Sequence, residues 1–309
     1  MQSPPITPRK AWLPLLAGRR VLITGAAADG VGRQLALVLA AHGATLLLAD
    51  VSPLDETAAA AAAAGAARVV PLRFDAGAEG DSARMVREGV AAAGGLDFLI
   101  LNHNAGCFSR MLEERDVVGT ARRLMRINFF AYAEIADAAL EPLLASARAR
   151  GRGGAKSGIL AITSLAASVP MLQTHGYAAS KAAITKWFEC LRLELRDDPA
   201  GRGALLSVSL MYFSAVKTQT LLDALGGARG PNARVIALAA EPREAAWATV
   251  DALLRQTPNS YFPANVGVLP RIYALWPWLA RRIVSSVPVA PPAPAAGAAH
   301  PALTAVGKN

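Results

Sequence analysis

The sequence predicts a single-domain α/β protein: a doubly wound parallel sheet with helices on both faces. Three observations carry this. Short apolar runs recur at residues 20–24, 44–50, 68–72, 97–102, 158–163 and 205–211. They lack the polar–apolar alternation of a half-exposed strand, as strands buried on both faces should. Alanine-rich stretches with helical periodicity separate them, which implies crossover helices. A glycine-rich turn lies between the first run and the first helix.

The elements follow in order. Residues 20–24 form the first strand and 31–42 the first helix. The second strand, 44–50, leads to a helix over 53–65 that contains seven consecutive alanines, the strongest helix former. Residues 68–72, 80–93 and 97–102 repeat the strand–helix–strand pattern. One long helix covers 117–144, and a basic glycine loop, 151–154, precedes the fifth strand at 158–163. A helix over 177–195 and a sixth strand at 205–211 follow. Pro242 opens another helix at a position proline favours, and 260–262 form a short last strand. No repeat or internal linker interrupts 19–285, so it is read as one domain behind an N-terminal extension, 1–18. Residues 286–309 form a Pro/Ala-rich tail that cannot bury enough apolar surface to order itself.

Composition bounds the function. Of 309 residues, 53% are hydrophobic, 18% charged and 6% aromatic, enough for a large aliphatic core. Two cysteines, Cys107 and Cys190, are too few for a disulfide framework and lack metal-ligand spacing. No metal site is expected. The net charge of +9 is densest at Arg148, Arg150, Arg152 and Lys156. That cluster has no interleaved aromatics to stack bases, so nucleic acid is not an expected partner. The apolar run 272–280 is about half of the roughly 20 residues that a membrane span needs. A cytoplasmic protein is expected. Tyr261, Tyr273, Trp276 and Trp278 lie among Arg271, Arg281 and Arg282, a mixture suited to a membrane-interface segment, a substrate lid or a dimer contact.

The turn Thr24-Gly25-Ala26-Ala27-Ala28-Asp29-Gly30-Val31-Gly32 has a strand before it and a helix after it. Glycines let the backbone approach a pyrophosphate, and the helix N-terminus offers free N–H groups. This marks a Rossmann-type cofactor site at Gly25, Asp29, Gly30, Val31 and Gly32. Asp50 ends the second strand, where a carboxylate meets the adenosine ribose. A 2′-phosphate beside it would cost about 4 kcal/mol per charge pair at roughly 4 Å and an effective dielectric near 20. No arginine sits next to Asp50 to offset this, and Asp29 adds like charge. NAD is therefore expected rather than NADP.

Tyr177 and Lys181 stand at i, i+4 at the start of a helix and share a face. An ammonium beside a phenol, whose free pKa is about 10, lowers that value and makes the tyrosine a general base. Ser164 follows the fifth strand, at the sheet end where ligands bind, and its hydroxyl can position a substrate oxygen.

These residues, in this order, make residues 19–265 resemble a short-chain dehydrogenase/reductase. The strings Leu-Ile-Leu-Asn-His at 99–103, Thr-Ser-Leu-Ala at 163–166 and Tyr-Ala-Ala-Ser-Lys at 177–181 are most similar to 11β-hydroxysteroid dehydrogenase and its relatives. The resemblance implies hydride transfer between NAD(H) and a bulky, apolar secondary alcohol or ketone, steroid-like or otherwise lipophilic, with Tyr177 as general acid/base. It implies that Asn128 anchors a proton-relay water, that Asp75 and Ala76 contact adenine, and that Asn102, His103 and Asn104 lie below the cofactor. It also implies that Tyr177 and Lys181 touch the cofactor, that Val216 and Thr218 meet the nicotinamide, and that the chain forms a homodimer or homotetramer. His175 is read as a substrate contact or a loop surface residue, and Cys107 as a pocket-lining residue.

Three departures stand out. The turn glycines are spaced five and two residues apart rather than four and two. Phe213-Ser214 stands where the family has Pro-Gly, and the stretch between Asn128 and Ser164 is expanded. They keep two alternatives open: a silent dinucleotide-binding sensor or scaffold, and an NADP-dependent carbonyl reductase.

Overall fold

The computed structural model describes residues 14–27, 30–106, 109–151, 156–224, 236–237 and 239–285. Asp29, Cys107, Arg152, residues 1–13 of the extension and the tail 286–309 lie outside the described residues.

Seven parallel strands form one sheet in the order β3-β2-β1-β4-β5-β6-β7. They are β1 Arg20–Thr24, β2 Thr45–Asp50, β3 Arg68–Arg73, β4 Phe98–Leu101, β5 Ser157–Ser164, β6 Leu206–Phe213 and β7 Asn259–Phe262. The helices are α1 Val31–Ala40, α2 Asp55–Ala63, α3 Asp81–Ala93, α4 Val117–Met125, α5 Ala131–Ala149, α6 His175–Arg196, α7 Gln219–Ala224, α8 Pro242–Leu254, α9 Leu269–Leu275 and α10 Pro277–Ser285. The order reverses between β1 and β4, which opens a crevice at the C-terminal strand ends, where ligands bind in open α/β sheets.

The uniform apolarity of the central strands has a simple cause. In β1, Val21 and Ile23 enter one core with Leu35 and Leu39 of α1 and Val250 and Leu253 of α8. Leu22 between them enters the other, with Met85 of α3, Tyr132 and Ile135 of α5, and Ile184 and Phe188 of α6. Edge strand β3 departs from the rule. Arg68, Pro71 and Arg73 are exposed there, and proline is tolerated because an edge strand need not donate every ladder bond.

Several predicted boundaries move by one to three residues: the first two helices are shorter, and α6 starts at His175. A larger correction concerns the long helix predicted over 117–144. It is divided by a π-helical turn, Arg126–Phe130, and runs on through Pro142 to Ala149. The C-terminal segment, read without secondary structure, forms a 3₁₀ turn, Ala264–Val268, followed by α9 and α10. Among the described residues no helix is long and apolar enough to cross a membrane.

The basic cluster is not a free patch. Arg150 pairs with buried Asp97, Arg148 with Glu141, and Lys156 Nζ donates to the Gly203 carbonyl. Asp97 precedes β4 at the end of the sheet opposite the crevice. It also accepts from the Arg20 backbone and guanidinium, with Arg19 at 3.8 Å. Burial pushes its carboxyl up, but the hydrogen bonds and charge of Arg20, with the charge of Arg150, outweigh that and hold it below the usual range.

Candidate active site

Gly25 has φ +70°, and a Cβ there would lie 2.7 Å from the His103 Cα. A Cβ on Gly32 would lie 1.9 Å from the Gly25 carbonyl oxygen. Both positions therefore require glycine, and the first turn of α1 packs against the loop after β1. Gly30 is the extended N-cap of α1 and no side chain caps that end, so first-turn amides, Val31 and Gly32 included, are left for an anion. Asn102 Nδ2 donates to the Thr24 and Gly25 carbonyls, 3.1 and 2.9 Å. Asn102 thus braces the turn from behind.

Asp50 ends β2 with both carboxylate oxygens engaged, accepting from the Ala27 and Ser52 amides at 2.9 Å each. Beside it a cavity of about 430 Å³ is lined by Ala27, Ser52, Pro53, Asp55 and Glu56. The expectation that no arginine neighbours Asp50 is corrected here. Parallel pairing sets Arg73 opposite Asp50, and its guanidinium donates to the Val51 carbonyl at 3.1 Å. Arg33 lies 3.4 Å from Glu56. Both arginines come from segments that a linear scan around Asp50 does not reach.

The three residues singled out for chemistry meet at the end of β5. Ser164 is its last residue, and its Oγ accepts from the Ala166 amide at 3.1 Å. Tyr177, in the first turn of α6, comes close enough to Ser164 for the serine hydroxyl to act on its phenol. Lys181, one turn on, is fully buried. Its Nζ donates to the Ile162 carbonyl at 3.2 Å and lies 5.1 Å from the Tyr132 ring centroid and 5.9 Å from that of Tyr177.

The electrostatics differ from expectation. Burial pushes the Tyr177 phenol up, and the Ser164 hydroxyl only partly offsets it. The same burial lowers Lys181 to about 7. The predicted drop in the Tyr177 pKa therefore does not appear. The ammonium that should cause it is itself disfavoured by the low-dielectric site.

Asn128 sits in the π-helical turn, fully buried. Its Oδ1 accepts from the Ala105 amide at 2.9 Å, and its Nδ2 donates to the Ala105 carbonyl and the Ser180 Oγ, 2.8 and 3.0 Å. Both amide donors are spent on protein, so the side chain positions α6 and the loop after β4.

His103 is likewise engaged by protein. Its Nε2 lies 3.1 Å from the Ile127 carbonyl, so that nitrogen carries the proton, and its Nδ1 accepts from Thr24 Oγ1 at 2.8 Å. Burial, with Lys181 nearby, lowers its pKa to about 3. The ring is therefore neutral, held between Thr24 and the Ile127 carbonyl.

Among the other expected cofactor contacts, Asn104 is exposed. Asp75 Oδ1 accepts from the Gly77 amide, and the Ala76 carbonyl accepts from Arg126 Nε. Val216 forms a β-bridge with Ala240. Thr218 Oγ1 accepts from the Leu221 amide at the start of α7, 3.3 Å. His175 Nε2 lies 3.1 Å from Glu114, whose other partner is Ser109 Oγ at 2.6 Å. His175 thereby ties the 109–114 segment to the start of α6.

Sequence reading missed two organising residues. Thr24 Oγ1 accepts from the Asn102 and His103 amides as well as serving the His103 ring. Tyr132 donates to the His103 carbonyl at 2.7 Å and places its ring beside Lys181. Its position four residues after Asn128 on the same helical run was the available signal.

Comparison with known proteins agrees with the fold. The profile described as short chain dehydrogenase matches residues 19–223. Hydroxysteroid 11-beta-dehydrogenase 1-like protein of Xenopus tropicalis is 32% identical over 253 residues, covering 80% of each chain. The fold is similar to that of NADH-dependent reductase A1-R′ responsible for alginate metabolism, with TM-score 0.64, 23% identity, and 80% of this chain and 97% of that one covered. The same reductase complexed with NAD aligns at TM-score 0.56 and 25% identity, over 66% of this chain and 81% of that one.

Proposed function

The chain belongs to the short-chain dehydrogenase family, an NAD(P)-dependent oxidoreductase acting on CH–OH groups, and from that premise we propose that it interconverts a lipophilic secondary alcohol and its ketone using NAD(H), with Tyr177 as the proton-transferring group. The observation that carries this is the meeting of Ser164 and Tyr177 at the end of β5, with Lys181 Nζ 5.9 Å from the Tyr177 ring centroid.

The residues present fit a dinucleotide. The obligatory glycines at 25 and 32 and the uncapped start of α1 would hold the pyrophosphate. Asp50 would take the adenosine ribose. Asp55 and Glu56, lining the adjoining cavity, make a 2′-phosphate unfavourable there, and Glu56 and the Val51 carbonyl already engage Arg33 and Arg73. This supports NAD over NADP. When bound, the nicotinamide supplies or accepts the hydride; orientation and proton transfer fall to the chain. Ser164 fixes the substrate oxygen against the Tyr177 hydroxyl. Tyr177 gives up its proton during ketone reduction and receives it during alcohol oxidation. Lys181, buried and close to half-protonated near neutral pH, responds to charge on the phenolate and would meet the nicotinamide ribose.

The lipophilic substrate class rests on the printed names of the relatives and on exposed Met111, Leu112 and Leu172. These flank the Ser109–Gln173 backbone bond that joins the two segments before α6. The same reading treats 19–285 as one domain. It has two copies pairing through α4 and the π turn, where Val118 and Phe130 are exposed around an apolar cavity of about 480 Å³.

Fluorescence titration with NADH and NADPH, followed by turnover of a panel of apolar alcohols and ketones, tests the proposal. NADH should bind more tightly, and Tyr177→Phe should lower kcat/KM by about 10²–10⁴ with NADH binding kept. Tight NADH binding with no turnover on the panel would identify a dinucleotide sensor instead. Tighter NADPH binding would overturn the role given to Asp50.

A further inference from the structure

Lys181 carries an ammonium into surroundings that offer it little. The side chain is buried, and burial alone lowers its pKa, with no carboxylate acting on it among the described residues. An ammonium has three N–H donors, and among the described residues the acceptor that Nζ meets is the Ile162 carbonyl, at 3.2 Å. Two aromatic faces stand beside it instead. The Tyr132 and Tyr177 ring centroids lie 5.1 and 5.9 Å away, both inside the reach of about 6 Å within which a ring attracts a cation. The titratable groups that face Lys181 are these two tyrosines, from α5 and α6, and His103 from the loop after β4, with Arg126 of the π turn acting on His103 in turn.

Tyr132 is fixed at both ends of its side chain. It is completely buried, its hydroxyl donates to the His103 carbonyl at 2.7 Å, and its ring lies 4.5 Å from the His103 ring at an angle of 54°. His103 is held in turn by Thr24 at the start of the phosphate turn. Burial, with the charge of Tyr177, pushes the Tyr132 phenol well above its usual value, so it stays a neutral donor. An aliphatic side chain could fill this space. It would lack the negative π face that an aromatic ring turns toward a cation.

We propose that Tyr132 is a positioning residue for Lys181: its π face keeps the ammonium charged and held beside Tyr177, while its hydroxyl pins the ring to the loop after β4. This rests on the part given above to Lys181 in supporting Tyr177, and it assigns Tyr132 no contact with substrate or cofactor. Without the π face, the protonated lysine would keep the Ile162 carbonyl and the Tyr177 ring and lose its nearer aromatic partner. The neutral form would lose much less, so the balance would move toward the amine.

The test reads the charge of Lys181 directly, by NMR titration of the full chain with carbon-13 at the lysine Cε; the Lys181 signal is the one lost in Lys181→Met. Tyr132→Phe keeps the ring and should move the midpoint by less than about 0.3 pH unit, whereas Tyr132→Leu should lower it by about one unit. Tyr132→Leu also removes core volume, so a second series holds the shape constant: phenylalanines at position 132 with increasing ring fluorination, which drains negative charge from the π face. The midpoint should fall stepwise along this series, with thermal unfolding and far-UV circular dichroism close to those of Tyr132→Phe. From a starting value of about 7, a one-unit drop takes the ammonium fraction at pH 7 from about one-half to about one-tenth, and kcat/KM for ketone reduction should fall about fivefold with it. A midpoint that stays put along the fluorinated series, or that moves as far in Tyr132→Phe as in Tyr132→Leu, would overturn the proposal. A midpoint that falls with kcat/KM unchanged would uphold the contact and overturn the part given to Lys181 in the proposed reaction, so the two readings fail separately.

Discussion

Lys181 shows how one side chain can serve the site at the expense of the fold. Its pKa falls from the ordinary 10.5 to about 7 because it is buried. The unfolded chain protonates it more readily than the folded one between those values. Stability therefore rises with pH from about 7 to about 10.5, and the penalty is full below 7. Lys181→Met should stabilise the protein by roughly 1–4 kcal/mol at pH 6, less at pH 9, and suppress turnover; thermal unfolding at the two pH values checks it. Ser164, Tyr177 and Lys181 were legible in the sequence because their spacing is local to one strand end and one helix turn. Thr24, Tyr132 and Arg73 were not. Each meets its partner through sheet register or packing between distant segments, and nothing in their immediate neighbourhood announces it.

At the scale of elements, the alternation of strands and helices was legible because burial on both sheet faces leaves an unbroken apolar signature. The division of the long helix was not, since a π turn keeps helical periodicity on either side. That turn places Asn128 where it joins the loop after β4 to α6. Asn128→Ala would leave the Ala105 amide and carbonyl without these partners. It should cost about 2–4 kcal/mol, measured by urea unfolding, and should lower turnover by loosening α6. Asn128→Asp, which keeps the acceptor but loses both amide donors, should be only partly restored. The C-terminal helices were read as a mixture of aromatic and basic residues without a secondary structure, because Pro270 and Pro277 look like interruptions in a linear reading. In the fold each stands in the first turn of its helix, where the missing N–H has no intrahelical partner to lose.

Across the whole molecule, charge is organised by position rather than spread evenly. At the base of the sheet Asp97, with a side chain only 3% exposed, gathers Arg19, Arg20 and Arg150. Removing its charge leaves three partly buried guanidinium groups uncompensated, so Asp97→Asn should cost about 2–4 kcal/mol at pH 7. The contribution of Asp97 is present above the unfolded carboxylate value near 4 and is lost as pH falls through its lower folded value. The gap between variant and wild type should accordingly close in strong acid, as denaturant titrations at pH 7 and pH 3 would record. The opposite end of the sheet carries the row Ser164, Phe213 and Phe262, where the chain turns out toward Trp276 and Trp278. Two backbone pairings thus link the start of that segment to Ser164, so loosening it should be felt at the reactive end of the sheet.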